Sequence, residues 1–258
     1  MTKLLCYAKI KEALFRSFVI VKKISEILSY FTLFEKCLWL SSVITVAVCY
    51  VFSPNGDAFS LIASFIGVSA LIFIAKGNVI GQVMIIIFAI LYGIISYSYA
   101  YYGEMITYLA MSAPIAAISV ITWLRHPYKK GATENEDSQT GGVAVSTLKP
   151  KTIVILTLLT IAVTVAFYFI LRALNTENLI ISTLSVTTSF AAASLGALRS
   201  PYYAFWYALN DIVLITMWVL ATVADLSYLP MIVCFLVFLI NDTYGFISWQ
   251  RRKKKQGV

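Results

Sequence analysis

Two pairs of polar residues stand inside long apolar segments near the C-terminus, namely Asn210-Asp211 and Asn241-Asp242. Burying a carboxyl group beside an amide costs roughly several kcal/mol unless both groups find partners. Polar residues inside apolar helices therefore usually face a cavity or one another. Amides and carboxyl groups in such a cavity can bind a polar ligand, and the carboxylates can also bind a cation.

Aromatic residues cluster on the same two segments. Tyr203 and Trp206 precede Asn210, and Tyr244 follows Asn241. Trp206 and Asn210 are four residues apart, so a helix places both on one face. Aromatic planes combined with amides and carboxylates can sandwich a flat heterocycle, hold sugar hydroxyls and attract a cationic ring. These residues are therefore predicted to bind a substrate.

A further polar residue, Gln82, follows Asn78 by four residues in the first half of the chain and is predicted to contribute to the same site. The competing interpretation is structural, because amides can join membrane helices and aromatic residues near helix ends often only anchor them. That interpretation suits Asn78 as a link between helices and Trp123 and Trp249 as interfacial anchors, and the Gly77-x-x-x-Gly81 spacing predicts close helix packing. It suits Trp206 less well, because Trp206 lies a full turn inside its segment beside an amide and a carboxylate.

The segments that carry these residues are typical of membrane helices. Hydrophobic residues make up 60% of the 258 residues, only 12% are charged, and the mean hydropathy is +0.85. A soluble domain carries about twice this charged fraction. Unbroken apolar runs of roughly 20 residues match the ~30 Å hydrocarbon core of a bilayer. Eight runs are predicted to span the membrane, over 37–53, 58–75, 79–99, 104–124, 152–172, 179–197, 202–223 and 228–249.

The charge distribution predicts the orientation. If all eight runs cross, one side holds all but one of the 20 Lys and Arg residues, while the other holds Arg172 and acidic residues such as Glu104. The positive-inside rule assigns the basic side, and with it both termini, to the cytoplasm. Residues 10–34 mix apolar and basic side chains, which predicts an amphipathic helix on the inner leaflet. The basic tail is attributed to topology and lipid, because no nucleic-acid-binding module is present.

Several kinds of chemistry lack the residues they need. The chain has no phosphate-binding P-loop, no GxSxG motif and no HExxH motif, which argues against ATP-driven pumping and common hydrolases. His126 is the single histidine, and the four cysteines are scattered without a metal or disulfide spacing. No metal site, no cofactor and no catalytic residue are therefore predicted.

A weak internal repeat is typical of transporters. The fourth predicted helix ends near Trp123 and the eighth near Trp249, and an arginine follows each tryptophan by two residues. Helix triplets at about 58–124 and 179–249 therefore correspond. The helix between them lets both triplets begin on the same side of the membrane. Parallel triplets of this kind place a substrate site at their interface near the midplane.

The sequence resembles the PnuC-type nicotinamide riboside transporters, and within them the branch found in Gram-positive bacteria. The resemblance covers about residues 57–252. It is carried by GNVIGQVMIIIFAILYGIISYSYAYYGEMITY (77–108), ITWLRHPY (121–128), RSPYYAFWYALNDIVLI (199–215) and FLINDTYGFISWQ (238–250).

The family's W-x-x-W-x-x-x-N pattern is similar to Tyr203, Trp206 and Asn210 here, with Tyr in place of the first Trp. Asn241 falls on a matching polar position of the final helix, and Gln82 looks like the polar contributor of the first repeat. The GWxxW motif that many relatives carry in the first repeat is absent.

The two aspartates, Asp211 and Asp242, are not part of the family pattern, so their predicted role rests on the membrane argument alone.

The resemblance implies an all-α integral membrane protein with a three-plus-one-plus-three core of parallel repeats and an extra N-terminal helix. It also implies nicotinamide riboside as the substrate, homotrimers, and facilitated diffusion across the bacterial cytoplasmic membrane. In that scheme a cytoplasmic kinase traps the substrate by phosphorylation, which supplies precursor for NAD biosynthesis.

The predicted organisation divides the chain into seven parts. They are a cytoplasmic amphipathic arm (1–36), an extra helix (37–53), the first repeat (57–124), a polar cytoplasmic loop (125–151), a linker helix (152–172), the second repeat (179–250) and a basic tail (251–258).

Two alternatives stay open. A transporter of the same build could carry another vitamin or a nucleoside, such as thiamine, riboflavin or a deoxynucleoside. An intramembrane enzyme could use Asp211 and Asp242 as an acid–base pair, although no nucleophile, metal ligand or phosphate cradle accompanies them.

Overall fold

The computed structural model describes residues 29–52, 58–98, 101–128, 142–176 and 178–258. Within these ranges it contains eight helices that are long and apolar enough to cross a membrane. They are α1 (Leu33–Phe52), α2 (Ala58–Ala75), α3 (Val79–Ser98), α4 (Tyr102–Arg125), α5 (Pro150–Ala173), α6 (Leu179–Ala197), α7 (Tyr203–Ala224) and α8 (Leu229–Gln256). The predicted eight-helix, all-α architecture is confirmed. Most of the predicted amphipathic helix over 10–34 lies outside the described residues.

The chain divides into two compact units, Met1–Leu40 and Ser41–Val258. In the first unit, a capping box starts α1. The backbone N–H of Thr32 donates to Glu35 Oε2 at 2.7 Å, and the N–H of Glu35 donates to Thr32 Oγ1 at 3.3 Å. This reciprocal pair satisfies two backbone donors that a helix start leaves without partners. It explains why α1 begins earlier than the apolar run alone predicts.

In the second unit, the largest core lies where α2, α3, α7 and α8 meet, and includes Val68, Phe88, Leu214 and Phe235. The outer surface is apolar as well. Among the residues of α5, all of which are described, Leu171 alone is buried. An apolar exterior around a packed interior is the arrangement that a lipid environment requires.

The helices form two triplets, α2–α3–α4 and α6–α7–α8. Successive helices pack within each triplet, and between the triplets α8 packs on α2 while α4 packs on α6. The third helix of each triplet therefore contacts the first helix of the other. Helix α5 packs on α6 and joins the triplets without belonging to either.

Matching hydrogen bonds tie the triplets together. The indole nitrogen of Trp123 donates to the Gly196 carbonyl, and that of Trp249 donates to the Ile74 carbonyl, each at 2.9 Å. The preceding hydroxyl groups do the same one residue further along, from Thr122 to Ala197 at 2.9 Å and from Ser248 to Ala75 at 2.8 Å. These reciprocal contacts follow the predicted repeat residue by residue. The interpretation of Trp123 and Trp249 as interfacial anchors is wrong, because both side chains are almost completely buried between the triplets.

The turns that follow α2 and α6 also match. Gly77 and Arg199 both have positive φ, 66° and 59°, and the N–H of each donates to the carbonyl three residues before it, Ile74 or Gly196. Gly77 therefore serves a left-handed turn, a conformation that glycine adopts readily. The predicted Gly77-x-x-x-Gly81 packing pair is correct only for Gly81. A Cβ on Gly81 lies 2.5 Å from the Ile74 side chain, so that glycine lets α2 and α3 approach closely.

The described end of the loop between α4 and α5 crosses both of these turns. We call residues 142–149 the strap. The N–H of Val143 donates to the Gly77 carbonyl and the N–H of Ser146 donates to the Arg199 carbonyl, each at 3.0 Å. We call the end of the bundle that carries these turns the basic end, because Lys76 and Arg252 lie there too. The sequence predicts a polar loop over 125–151, but this part of it is held in place.

Side chains hold the strap against the bundle. Val143 and Val145 are buried in a cluster that contains Trp123 and Trp249. Gln256 accepts a hydrogen bond from the N–H of Val145 at 2.7 Å and donates one to the Val143 carbonyl at 3.3 Å. The strap thus covers the ends of both triplets.

Candidate substrate site

The contact between α7 and α8 buries two carboxyl groups. Asp211 and Asp242 are 3% and 4% exposed, and their carboxyl groups lie within hydrogen-bonding reach of each other. Asp211 Oδ2 is completely buried and accepts no hydrogen bond from any residue that the structure describes. Neither aspartate forms an ion pair with any residue in the described part of the chain. The structure therefore brings together two acidic residues that lie on different helices.

Three tyrosines lie in the vicinity of this acidic pair. Tyr207 lies within electrostatic reach of both aspartates, Tyr203 of Asp242, and Tyr108 of Asp211. Each phenol can donate a hydrogen bond to a carboxylate or to a bound ligand. The acidic pair therefore lies among aromatic surfaces and hydroxyl groups.

Tyr108 reaches the pair from an irregular part of α4. The helix is α-helical over Tyr102–Ile106, π-helical over Thr107–Ser112 and α-helical again over Ala113–Arg125. The Tyr108 ring packs on Tyr92 with centroids 4.4 Å apart. π-Helical turns are frequent at functional sites because they change the direction of a side chain. Pro114 follows this segment by two residues.

Asn210 is held by α6. Its Oδ1 accepts hydrogen bonds from the hydroxyl groups of Thr188 at 2.8 Å and Ser189 at 3.0 Å. These two donors fix the orientation of the amide, because only its oxygen can accept them. The amide nitrogen has no partner among the described residues. Asn210 therefore presents an oriented donor that a ligand can use.

Asn241 faces a different neighbour. Its Nδ2 donates to the hydroxyl of Ser42 on α1 at 3.0 Å and to the Val237 carbonyl at 2.8 Å. Its Oδ1 is buried without a partner in the described part of the structure. The amide of Asn241 is thus engaged by α1, whereas that of Asn210 is engaged by α6. One acceptor on Asn241 stays available.

Gln82 and Trp206 lie on surfaces that adjoin one buried cluster. Gln82 is 7% exposed, and its side chain has no hydrogen-bond partner among the described residues. It shares a helix face with Val79 and Ile85, which pack on the cluster around Trp249. The half-buried Trp206 packs on the same cluster. Trp206 thus lies beside the cluster that contains Tyr203 and Trp249, and the helix face that carries Gln82 packs on that cluster too.

The two remaining predicted tyrosines differ in their surroundings. Tyr203 is 2% exposed, and its ring lies edge-on to Trp249 with centroids 4.9 Å apart. Its ring is therefore covered toward the basic end, while its hydroxyl group lies near Gly245. Tyr244 is half-buried.

Several polar residues of this interior are not predicted from the sequence. Glu104 is 4% exposed, and its Oε2 has no partner in the described structure, although the sequence assigns it to the outer boundary of a helix. Tyr92 and Tyr108 lie within its electrostatic reach. The small Gly103 beside it, which packs on Leu171, was the available signal that this stretch is enclosed by other helices.

An open groove lies elsewhere, where α7 ends and α8 begins. Its volume is about 790 Å³, and it is lined by Val219, Thr222, Val223, Asp225, Leu226 and Ile232. Its lining includes no predicted site residue and is mostly apolar. It therefore offers a polar ligand much less than the α7–α8 contact does.

Comparisons with known proteins agree with this architecture. Residues 57–251 match the family model described as nicotinamide mononucleotide transporter. The nicotinamide riboside transporter PnuC of Neisseria mucosa is 25% identical over 233 residues, which cover 89% of this chain and 86% of that protein. The nicotinamide riboside transporter PnuC of Haemophilus influenzae is 25% identical over 220 residues, which cover 84% and 90%.

A solved structure has the same fold. The crystal structure of the vitamin B3 transporter PnuC matches with a TM-score of 0.75 at 23% identity, over 88% of this chain and 94% of that one. The predicted helical membrane fold is thereby confirmed. The prediction of a transporter rather than an enzyme is confirmed by what the relatives are named. Because the family model matches most of the chain, the protein belongs to the nicotinamide mononucleotide transporter family, the PnuC-type transporters.

Proposed function

We propose that this protein carries nicotinamide riboside across the membrane by facilitated diffusion. The names of the two relatives support this substrate. The observation that carries the proposal is the buried polar interior of the second triplet. There an oriented amide on Asn210 lies next in sequence to a carboxyl pair that has no cation partner among the described residues. Nicotinamide riboside offers a flat cationic ring, an amide and sugar hydroxyls to such groups.

The riboside is favoured over the mononucleotide that the family description names. The buried charged residues of α2 to α8, as far as these helices are described, are Glu104, Asp211 and Asp242, and all of them are acidic. A phosphate group enters such an interior against like charges and finds no buried Lys or Arg among the described residues. The riboside lacks the phosphate, so only its positive charge is left to be balanced.

Each predicted site residue has a role in this scheme. Trp206 stacks on the pyridinium ring, while Gln82, Asn210 and Asn241 bind the carboxamide and the ribose. Tyr203, Tyr244, Asp211 and Asp242 complete the lining. The available donor of Asn210 and the available acceptor of Asn241 support these roles.

The transport cycle follows from the two triplets. The basic end faces the cytoplasm of a bacterial cell, as the positive-inside rule requires, and rocking of one triplet against the other switches access. The carrier equilibrates the concentration of its substrate across the membrane. A cytoplasmic kinase phosphorylates the substrate, which lowers its free concentration inside and so causes net uptake. Homotrimers, as the resemblance implies, complete the proposal. Organisation into the seven parts from the arm (1–36) to the basic tail (251–258) is likewise proposed.

Thiamine is the second candidate, because it is also a flat organic cation and would meet the same carboxyl pair. Calorimetry on the purified protein in detergent tests both, with nicotinamide riboside, thiamine, riboflavin and uridine as separate titrants. Saturable heat from the riboside alone supports the proposal. Heat from thiamine alone replaces the substrate and keeps the transporter, and heat from riboflavin or uridine alone rejects both candidates.

A further inference from the structure

The acidic pair has a feature that packing does not explain. Asp211 and Asp242 are both buried, they lie within reach of each other, and no described residue supplies a positive charge to either. A buried carboxylate without a counter-ion is costly, and two adjacent ones are more so because they repel. Buried ionisable groups without a protein partner usually mark the site of a bound substrate or ion.

The matching positions of the first repeat carry no acidic groups. The hydrogen bonds at the ends of α2 and α6 pair positions 74, 75, 77 and 78 with 196, 197, 199 and 200 at a constant separation. Carried along α3, the same separation pairs Asp211 with Ala89. For α4 and α8, the corresponding residues are Trp123 and Trp249, which make matching hydrogen bonds. At the separation between these two tryptophans, Asp242 corresponds to Ala116. Both alanines are buried, so one repeat packs well with a methyl group where the other carries an acid.

Two further buried polar groups also have hydrogen-bonding capacity that no described residue uses. Gln82 is 7% exposed without a hydrogen bond to any described residue, and the Asn210 amide nitrogen has none either. Four buried polar side chains, distributed over the two triplets, thus have hydrogen-bonding capacity that no described residue uses. Buried polar groups normally have partners, so this pattern indicates that a bound ligand supplies them. Because two of the four are carboxyl groups, that ligand carries positive charge.

We infer that Asp211 and Asp242 together form the counter-ion site of the transported molecule and that they restrict the substrates of this carrier to flat organic cations. The inference rests on the proposed function only in placing the transport site here. It does not depend on which cation is carried. When the two carboxyl groups share one proton, the pair has a single negative charge, which one pyridinium or thiazolium ring balances. The faces of Tyr207 and Trp206 add attraction for such a ring.

The test separates charge from shape. Nicotinamide riboside and its reduced dihydro form share the ribose and the carboxamide, but only the oxidised form is a cation. Binding of both ribosides, of thiamine and of riboflavin is measured by calorimetry to the wild type, to Asp211→Asn, to Asp242→Asn and to the double variant. Asp225→Asn is the matched control, because Asp225 is exposed at the end of α7.

The expected result is a loss of affinity for the oxidised riboside of about tenfold to a hundredfold in the double variant, with little change for the reduced riboside and for the Asp225 control. Thermal stability is measured in parallel. Asn has the same shape as Asp but no charge to desolvate, so the double variant should melt at the same temperature or higher. A merely structural pair predicts a lower melting temperature instead.

Three outcomes are distinguishable. If the wild type binds the oxidised riboside and the double variant binds it equally well, the counter-ion inference is overturned and the proposed function stands. If the wild type ignores both ribosides but binds thiamine, and the double variant loses thiamine, the inference stands and the proposed substrate falls. Preference of the wild type for the reduced riboside or for riboflavin overturns both.

Discussion

Trp123 and Trp249 each donate a hydrogen bond to the triplet that contains the other. Each indole nitrogen donates to a carbonyl at the end of the first helix of the other triplet, and the two rings lie 5.4 Å apart. Both side chains are almost completely buried. At the basic end, the triplets are therefore joined by two equivalent hydrogen bonds, one in each direction, and a tryptophan is the donor in both.

Removing either indole donor should destabilise the bundle. Trp123→Phe and Trp249→Phe each delete one buried hydrogen bond while keeping an aromatic ring, and each should cost about 1–3 kcal/mol through the lost bond and the reduced volume. The measurement is thermal unfolding of the purified protein. Tyr97→Phe is the control, because Tyr97 is 62% exposed. Equal melting temperatures for the wild type and both tryptophan variants would contradict a stabilising exchange.

Asn210 should be essential for binding but not for insertion into the membrane. Asn210→Ala removes the oriented donor and should reduce riboside affinity by about two orders of magnitude, since a buried polar group of the ligand then lacks its partner. Ser189→Ala removes one of the two hydroxyl groups that orient the amide, so a smaller loss of about threefold to tenfold is expected. Calorimetry gives both affinities, and unchanged binding by Asn210→Ala would remove Asn210 from the site.

Gly81 and Gly196 should respond differently to the same change. A Cβ on Gly81 meets Ile74 at 2.5 Å and the Ala70 carbonyl at 2.8 Å, whereas one on Gly196 meets Tyr203 at no less than 3.9 Å. Gly81→Ala should therefore force α2 and α3 apart and cost about 1–3 kcal/mol, while Gly196→Ala should be close to neutral. Melting temperatures decide the matter, and an equal response of the two variants would show that the α2–α3 contact yields easily.

The strap should loosen when Gln256 loses its amide. Gln256→Leu deletes the hydrogen bonds to Val143 and Val145, and Gln250→Leu is the matched control, because Gln250 has no partner among the described residues. The probe is a cysteine at position 143 in a protein whose four natural cysteines are replaced. A thiol reagent should label it about tenfold faster in the Gln256 variant, because local opening exposes this buried position.

If labelling is equally slow in the Gln256 and Gln250 variants, the backbone bonds alone hold the strap. If labelling is fast even with Gln256 intact, position 143 is already accessible, and the strap does not cover the basic end.

Much of the fold could be predicted, because the bilayer limits the choices. Unbroken apolar runs predict spanning helices, and the basic side chains between them predict which ends lie together. The repeat was predictable from Trp123 and Trp249. Their partners were not, because Gly196 and Ile74 offer only backbone carbonyls, which leave no trace in side-chain identity.

Candidate site residues could be proposed from the sequence, but their contacts with one another could not. The residue types pointed to Asp211 and Asp242, yet their contact depends on the rotation of α7 against α8. The engagement of Asn241 by Ser42 was out of reach for the same reason, since it requires the position of α1. The buried Val143 and Val145 alternate within a stretch that composition describes as a loop, and two apolar residues are too short a pattern to predict a strap.

The single helix α5 sets the orientation of the second triplet through the number of membrane crossings that it adds. It buries only Leu171 of its own residues, so it contributes little to the interior, yet it is one crossing, an odd number. An even number of crossings between the triplets would turn the second one upside down, and Trp249 would then emerge on the far side of the membrane from Ile74. Helix α5 therefore matters for its count more than for its side chains. Much of its sequence should tolerate exchange among apolar residues, whereas its deletion should abolish the reciprocal tryptophan contacts altogether.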